Sequence, residues 1–343
     1  MSRRVLVVDS AEVFHAPDVE LEREVLGSAA SVELVRVDRE EELLSRVAEA
    51  SALIVWHHLK VTRAVIRECR RLRIIVRNGV GFDNVDVRAA AEFGIPVANV
   101  PDYGTEEVAD HTMALVLALT RQLRPLTEDI ARGNWRYQAG EACRRVRGQI
   151  FGVVGCGRIG TAVALRARAF GYQVTFYDPY LPPGYEKAIG TRREHSLDDL
   201  LEIADVVSLH APLTDETYHM IAEPQLRRIK RTAFLINTSR GPIVEHRALE
   251  RALAERWIAG AGLDVLEHEP RGLDLYLKFA NCIVTPHSAF YSRESMVEMR
   301  RTSASIVRDA LLDGIYRNIV NGVQPPQPPL SPADRELLHE GRN

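Results

Sequence analysis

Through the first hundred residues, β-branched apolar runs at positions 5–8, 32–37, 53–56, 74–76 and 96–100 alternate with charge-rich helical stretches such as 39–49 and 62–71. That alternation predicts a parallel sheet with crossover helices. Pro101 closes this part. Residues 105–123 then read as one long helix with acids in its first turn and an apolar middle, suited to bridge domains and act as a hinge element. Residues 133–148 are irregular, basic and aromatic-containing, as a surface arm or a subunit contact would be. A second set of strand-like runs starts near residues 149, 173, 206, 233, 259 and 282, most of them separated by helical stretches. One such helix, 197–204, has Ser196 placed as N-cap and Asp199 three residues on. Six β-runs separated in this way describe a complete doubly wound nucleotide domain. Residues 293–312 form a closing helix expected to pack back onto the first domain, and the proline-rich tail 324–343 is expected to be disordered.

The pattern turns around Gly155-Cys156-Gly157-Arg158-Ile159-Gly160, which follows an apolar run and opens a helical stretch, 161–170. Strand, tight turn and helix in that order form a dinucleotide fingerprint. Gly155 permits the turn, Gly157 admits a pyrophosphate, Gly160 allows close packing, and the helix N-terminus offers N–H groups to phosphate. The next β-run ends at Asp178, 18 residues beyond Gly160, where a carboxylate can hold both ribose hydroxyls and repel a 2′-phosphate. Its neighbours Pro179 and Tyr180 offer no cation, so NAD is expected over NADP.

Length and charge narrow the rest. At 343 residues there is room for two domains, and a net charge of −3 gives no global field suited to nucleic acid or anionic membranes. The longest apolar run, 113–119, is too short to span a bilayer. Residues 1–4 lead straight into a strand without the apolar region of a signal peptide, and Cys69, Cys143, Cys156 and Cys282 are scattered. A cytoplasmic protein with reduced thiols and no metal is expected.

Three side chains suited to catalysis follow three successive strand-like runs: Arg240 after 233–237, Glu269 after 259–263 and His287 after 282–285. In an open α/β sheet that is the ligand-binding edge. In the first domain, Asn78-Gly79-Val80-Gly81-Phe82-Asp83-Asn84 is a glycine-punctuated loop that either aims backbone N–H groups at a carboxylate or is a simple tight turn. Arg77, just before it, either reaches a distal anionic group of a substrate or pairs with an acid at the strand end. His57 and His58 line a cleft or are polar loop residues.

The segments 237–241, 263–270 and 285–288, with Gly81-Phe82-Asp83-Asn84-Val85-Asp86, resemble the signature segments of the D-2-hydroxyacid dehydrogenase family, over about residues 52–320. Within it, segments 76–84, 162–171 and 176–181 resemble the C-terminal binding protein branch. The resemblance implies two Rossmann-like α/β domains: a doubly wound parallel NAD-binding sheet (103–290) inserted into a flavodoxin-like substrate domain (1–102 with 291–323). It implies Arg240, Glu269 and His287 as the catalytic trio. Cofactor contacts are implied from Val80, Gly155, Cys156, Gly157, Arg158, Ile159, Gly160, Asp178, His210, Ala211, Pro212, Thr217, Thr238, Ser239, Arg240, Asp264, His287 and Ser288. Substrate contacts are implied from Arg77, Gly79, Val80, Gly81, Arg240, His287 and Phe290.

The expected activity is reversible hydride transfer between NADH and a small 2-keto acid. Arg240 forks onto the carboxylate and the keto oxygen, N–H groups of Gly79–Gly81 hold the carboxylate, and His287, oriented by Glu269, gives or takes the proton. A homodimer is implied, with no nucleic-acid or membrane partner. Two alternatives stand beside this: an NADH-responsive corepressor-like binding protein, and a phosphoglycerate dehydrogenase lacking a regulatory domain. The segment His287-Ser288-Ala289-Phe290-Tyr291 departs from the His-Ala-Ala-Trp-Tyr of the animal binding proteins, so an altered substrate pocket is expected.

Overall fold

The computed structural model describes residues 3–13, 15–269 and 271–324. The proline-rich tail lies outside them from residue 325 on. The chain divides into two compact units, Met1–Tyr103 with Arg293–Asn343, and Gly104–Ser292.

In the first unit, β1 (Arg4–Asp9), β2 (Ser31–Arg36), β3 (Ala52–Val55), β4 (Ile74–Arg77) and β5 (Val97–Ala98) form a sheet in the order β2-β1-β3-β4-β5. Every pairing is parallel, with Val5 opposite both Val32 and Ala52. This is the flavodoxin-like order. β3 and β4 are buried throughout, which is why β3 and residues 74–76 of β4 read as unbroken apolar runs rather than alternating ones. One sheet face, with Leu6, Leu53 and Ile75, packs on Leu43, Val47, Val65 and Ile66. The helix Arg293–Leu312 packs against β3, β4 and the helix Glu20–Leu26. Its Arg300 forks onto the fully buried Glu22 with two contacts of 2.7 Å, and Ser303 donates to Asn78 at 2.6 Å.

Two expected elements are shorter than the sequence suggests. The helix read at 39–49 spans only Glu40–Leu44, because Val47 and Ala50 turn inward to complete the core. The strand read at 96–100 is two residues long. Beyond β5 the main chain turns to the segment 318–320, where Val320 N–H donates to Val97 and Asn99 N–H to Asn318.

In the second unit, β6 (Ile150–Val154), β7 (Gln173–Tyr177), β8 (Arg192–Arg193), β9 (Val206–Leu209), β10 (Phe234–Asn237), β11 (Gly260–Leu263) and β12 (Cys282–Val284) run parallel in the order β12-β11-β10-β9-β6-β7-β8. Strand order reverses between β6 and β9, the switch point at whose C-terminal edge dinucleotides bind. β8 is an addition to the six expected runs; two arginines on an edge leave no apolar signal. The long helix is Thr105–Thr120, laid on β10 and β11 so closely that a Cβ at Gly262 would sit 3.1 Å from Leu115. Ser196 occupies the N-cap of Leu197–Ile203, but its hydroxyl caps nothing, correcting the expected capping box; Asp198 and Asp199 in the first turn complement the helix dipole instead. Residues 133–148 are irregular apart from one turn, with Trp135 91% and Tyr137 85% exposed.

Candidate active site

The glycine-rich turn is shaped by what each position can tolerate. Gly155 sits at φ +84°, and a Cβ there would lie 2.7 Å from Ala211 N; a Cβ on Gly160 would lie 2.1 Å from Gly155 O. Both contacts are with backbone that cannot yield. Gly157 is the opposite case: nothing lies within 4 Å of its built Cβ. It caps the helix Arg158–Ala169 without any side-chain hydrogen bond. An open cradle over uncapped helix N–H groups fits a pyrophosphate.

Asp178 leaves the end of β7, where its Oδ2 accepts from Cys156 N–H at 2.9 Å and its Oδ1 from Tyr180 N–H at 3.0 Å. The acid thus also ties its strand end to the turn. One cation overlooked in the sequence is near: Arg193 lies over the Phe176 ring at 5.1 Å and donates to the carbonyls of Leu181 and Pro182, both at 3.1 Å. His210 is half-buried, with Nε2 2.8 Å from Ser208 Oγ, and desolvation of its ring pushes its pKa down to about 3. It is a neutral wall whose neighbour Ala211 backs Gly155. Thr217 donates to Pro212 O at 2.6 Å, holding the 212–217 turn.

The catalytic candidates converge. Arg240 follows β10, with its main chain fixed by Asn237 Nδ2 at 2.9 Å and its Nη1 donating to Ser239 O at 2.8 Å. Ser239 donates to Asn237 Oδ1 from both N–H and Oγ, and Thr238 Oγ1 is buried 2.8 Å from Thr112 Oγ1. The next residue, Gly241, presses on the β11 loop: a Cβ there would meet Leu266 C and O at 2.0 Å. Leu266 N–H in turn donates to Glu269 Oε1 at 2.8 Å, and Glu269 Oε2 lies 2.7 Å from His287 Nδ1. Burial alone would raise the Glu269 pKa. The hydrogen bond and charge of His287, the Leu266 N–H and the nearby Arg240 outweigh it and hold the carboxyl below its ordinary value. An ionised carboxylate only accepts, so His287 carries its hydrogen on Nδ1 and turns Nε2 to whatever binds.

His287 adopts φ +51°, in the left-handed region that non-glycine residues enter sparingly. Asp264 holds it there. Its carbonyl accepts from His287 N–H at 2.8 Å, and its carboxylate accepts from Thr285 Oγ1 at 2.6 Å and from the N–H groups of Ser288 and Ala289, each at 2.9 Å. The Thr285 hydroxyl spends its hydrogen on Asp264, so it accepts from His111 Nε2 at 3.0 Å. Asp264 was expected at the cofactor; the structure shows it gripping the histidine loop. No sequence signal marks the roles of His111 or Thr112, whereas Thr285 opens the signature segment 285–288 and its role could have been sought there. Phe290 meets the His287 ring edge-on at 6.3 Å.

The remaining substrate candidates lie in the first unit. Gly79, at φ +139°, has its N–H turned onto Arg77 O at 2.9 Å, so the carboxylate cradle expected from residues 79–81 loses that donor. A Cβ at Gly79 would fall 1.8 Å from Arg77 Nη1. Arg77 is buried beneath the loop and donates to Asn78 O at 3.0 Å. Asn99 fixes Val80 by a 2.6 Å bond to its carbonyl.

The sequence signature described as D-isomer specific 2-hydroxyacid dehydrogenase, NAD binding domain, matches residues 113–289. A glyoxylate reductase of Korarchaeum cryptofilum is 41% identical over 283 residues, covering 81% of this chain and 85% of the relative. A D-3-phosphoglycerate dehydrogenase of Methanocaldococcus jannaschii is 37% identical over 88% of this chain, which spans only 58% of that relative's length. The crystal structure of D-lactate dehydrogenase from Aquifex aeolicus, complexed with NAD and lactic acid, superposes with a TM-score of 0.83 at 31% identity, covering 94% of this chain and 99% of that one.

The chain belongs to the D-isomer-specific 2-hydroxyacid dehydrogenase family. It is an oxidoreductase acting on 2-hydroxy acids, and its cofactor is NAD(H). Among the described residues no helix is long and apolar enough to cross a membrane.

Proposed function

We propose that this chain reduces a small 2-keto acid with NADH, reversibly, to the D-2-hydroxy acid, with His287 as proton donor and acceptor. The observation that carries the reading is the 2.7 Å contact of His287 Nδ1 with Glu269, reinforced by Arg240 close enough to lower the carboxyl pKa. NADH supplies the hydride. The side chains supply the rest: Arg240 forks onto the carboxylate and keto oxygen, His287 delivers a proton to that oxygen from Nε2, and Glu269 stabilises the imidazolium beforehand. Asp178 takes the adenosine ribose, and the turn 155–160 the pyrophosphate. Arg77, Val80 and Gly81 serve a substrate carboxylate, with Arg77 as the choice for a second anionic group.

Glyoxylate leads the substrates we infer, after the Korarchaeum relative. The exposed Trp135 and Tyr137 are the contact of a homodimer, in a reducing cytoplasm that suits four free cysteines. A panel of keto acids of graded size and charge, assayed by NADH oxidation, tests the assignment. Turnover of at least one is the expected result. Tight NADH binding with no turnover of any would favour the binding-protein reading suggested by segments 76–84, 162–171 and 176–181.

A further inference from the structure

The sheet of the first unit gathers three imidazoles at one point. β1 and β3 are hydrogen-bonded neighbours, so the loops leaving their C-terminal ends run side by side. His15 comes from the first loop, His57 and His58 from the second. One ligand-capable nitrogen from each lies within 4.8 Å of the other two. Their ring centroids are 4.4, 5.1 and 4.2 Å apart, and Trp56, itself buried, stacks on His15 at 5.1 Å. All three histidines are half-buried, so water and ions reach them.

The setting fixes which nitrogen is offered. Asp9, at the end of β1, is fully buried, and its carboxylate accepts from the N–H groups of Ser10 (2.9 Å), His15 (2.6 Å) and Ala16 (2.8 Å). Its Oδ1 also lies 3.2 Å from His15 Nδ1. A carboxylate donates nothing, so Nδ1 bears the hydrogen and the Nε2 lone pair points away from Asp9. A carboxylate behind one imidazole nitrogen, orienting the other, is the arrangement that supports metal-ligating histidines. Asp38 braces the same loop, accepting from Ser10 Oγ at 2.6 Å and Ala11 N–H at 2.9 Å. Three crowded imidazoles would repel one another if protonated; a shared cation turns that crowding into attraction.

We propose that His15, His57 and His58 bind a divalent transition-metal ion of the zinc type, with Asp9 as a positioning residue. All-imidazole sites suit Zn²⁺, Co²⁺, Ni²⁺ and Cu²⁺. Three protein ligands leave one coordination position for water or a small anion. The ion would clip the β1 loop to the β3 loop. His15 and His57 stand 42 positions apart, so no short motif announces the site.

Calorimetric titration of the chelator-stripped full chain with Zn²⁺ tests this, with the visible absorption of bound Co²⁺ as a second readout. The expected result is one equivalent of Zn²⁺ on the wild type, weakened roughly 100-fold or more in His57→Gln/His58→Gln and about 10- to 100-fold in Asp9→Asn. His219→Gln, which removes a histidine of the other unit, should keep the full equivalent. His15→Gln gives an independent single substitution should the double variant fold poorly, and circular dichroism reports on that. Failure of the wild type to take up Zn²⁺, or uptake unchanged in both His57→Gln/His58→Gln and His15→Gln, overturns the proposal.

Discussion

Asp264 and His287 are joined through the main chain, His287 N–H to Asp264 O at 2.8 Å, while the Asp264 carboxylate takes the N–H groups on the far side of the same histidine. The acid therefore braces the histidine's left-handed backbone from both ends. In Asp264→Asn, one oxygen becomes an NH2 group facing donors, leaving a buried N–H unsatisfied and releasing the loop. We expect kcat to fall about 10- to 100-fold with a much smaller change in the NADH dissociation constant, since misplacing a reacting group by an ångström can cost two decades. Steady-state kinetics beside a fluorescence titration measures both; equal losses in the two would assign Asp264 to the cofactor instead.

For the pair Glu269–His287, the two substitutions separate proton transfer from its support. His287→Ala should reduce kcat by roughly 10²- to 10⁴-fold while NADH still binds, as loss of a general acid does. Glu269→Gln should reduce it less, because an amide can still accept from Nδ1 without the charge that favours imidazolium. The carboxyl pKa lies below its ordinary value of 4.5, so the contribution of the ionised Glu269 carboxylate's own titration to stability is in full force above that pH. It is lost only as the pH falls through the lowered value. Full turnover in His287→Ala would end the assignment.

Asp178 has a structural as well as a recognition role, because it holds Cys156 N–H at the glycine turn. Asp178→Ala should therefore weaken NAD binding and narrow the NAD/NADP preference by about tenfold or more. Arg193, bonded to two carbonyls just past β7 and 3.5 Å from Glu186, is the cation to test as a partner for a 2′-phosphate once the carboxylate is gone. Comparing kcat/KM for NADH and NADPH in Asp178→Ala and in Asp178→Ala/Arg193→Ala checks both halves. An unaltered ratio in the single variant removes the ribose role.

Much of this architecture is legible in the sequence because both sheets are covered on two faces. Strands such as 52–55 must then be apolar at every position, and they announce themselves. The ligand edge is legible for a related reason: Arg240, Glu269 and His287 follow the ends of three successive apolar strands by three, six and three residues (240 − 237, 269 − 263, 287 − 284). What stays hidden leaves no apolar pattern of its own. β8 is two edge arginines, Ser196 has the right identity but an unused hydroxyl, and Gly79 N–H is diverted to Arg77 by a local turn. His111 reaches Thr285 across 174 residues, and nothing local to either marks the pair.

His210 makes the clearest statement about pH. It is held neutral by desolvation of its half-buried ring, with a pKa near 3 against 6.5 in the unfolded chain. Between those values the unfolded chain binds a proton that the folded protein refuses, so stability rises with pH across the window and is lost as pH falls through it. At about 1.4 kcal/mol per pH unit, going from pH 6.5 to 5 costs on the order of 2 kcal/mol through this one ring. Replacing His210 with Gln, which keeps a hydrogen-bonding group for Ser208 but cannot titrate, should lower stability at neutral pH yet flatten its dependence between pH 6.5 and 4. Urea midpoints measured across that range give the slope. A variant as acid-sensitive as the parent would mean that the ring is not the group refusing the proton.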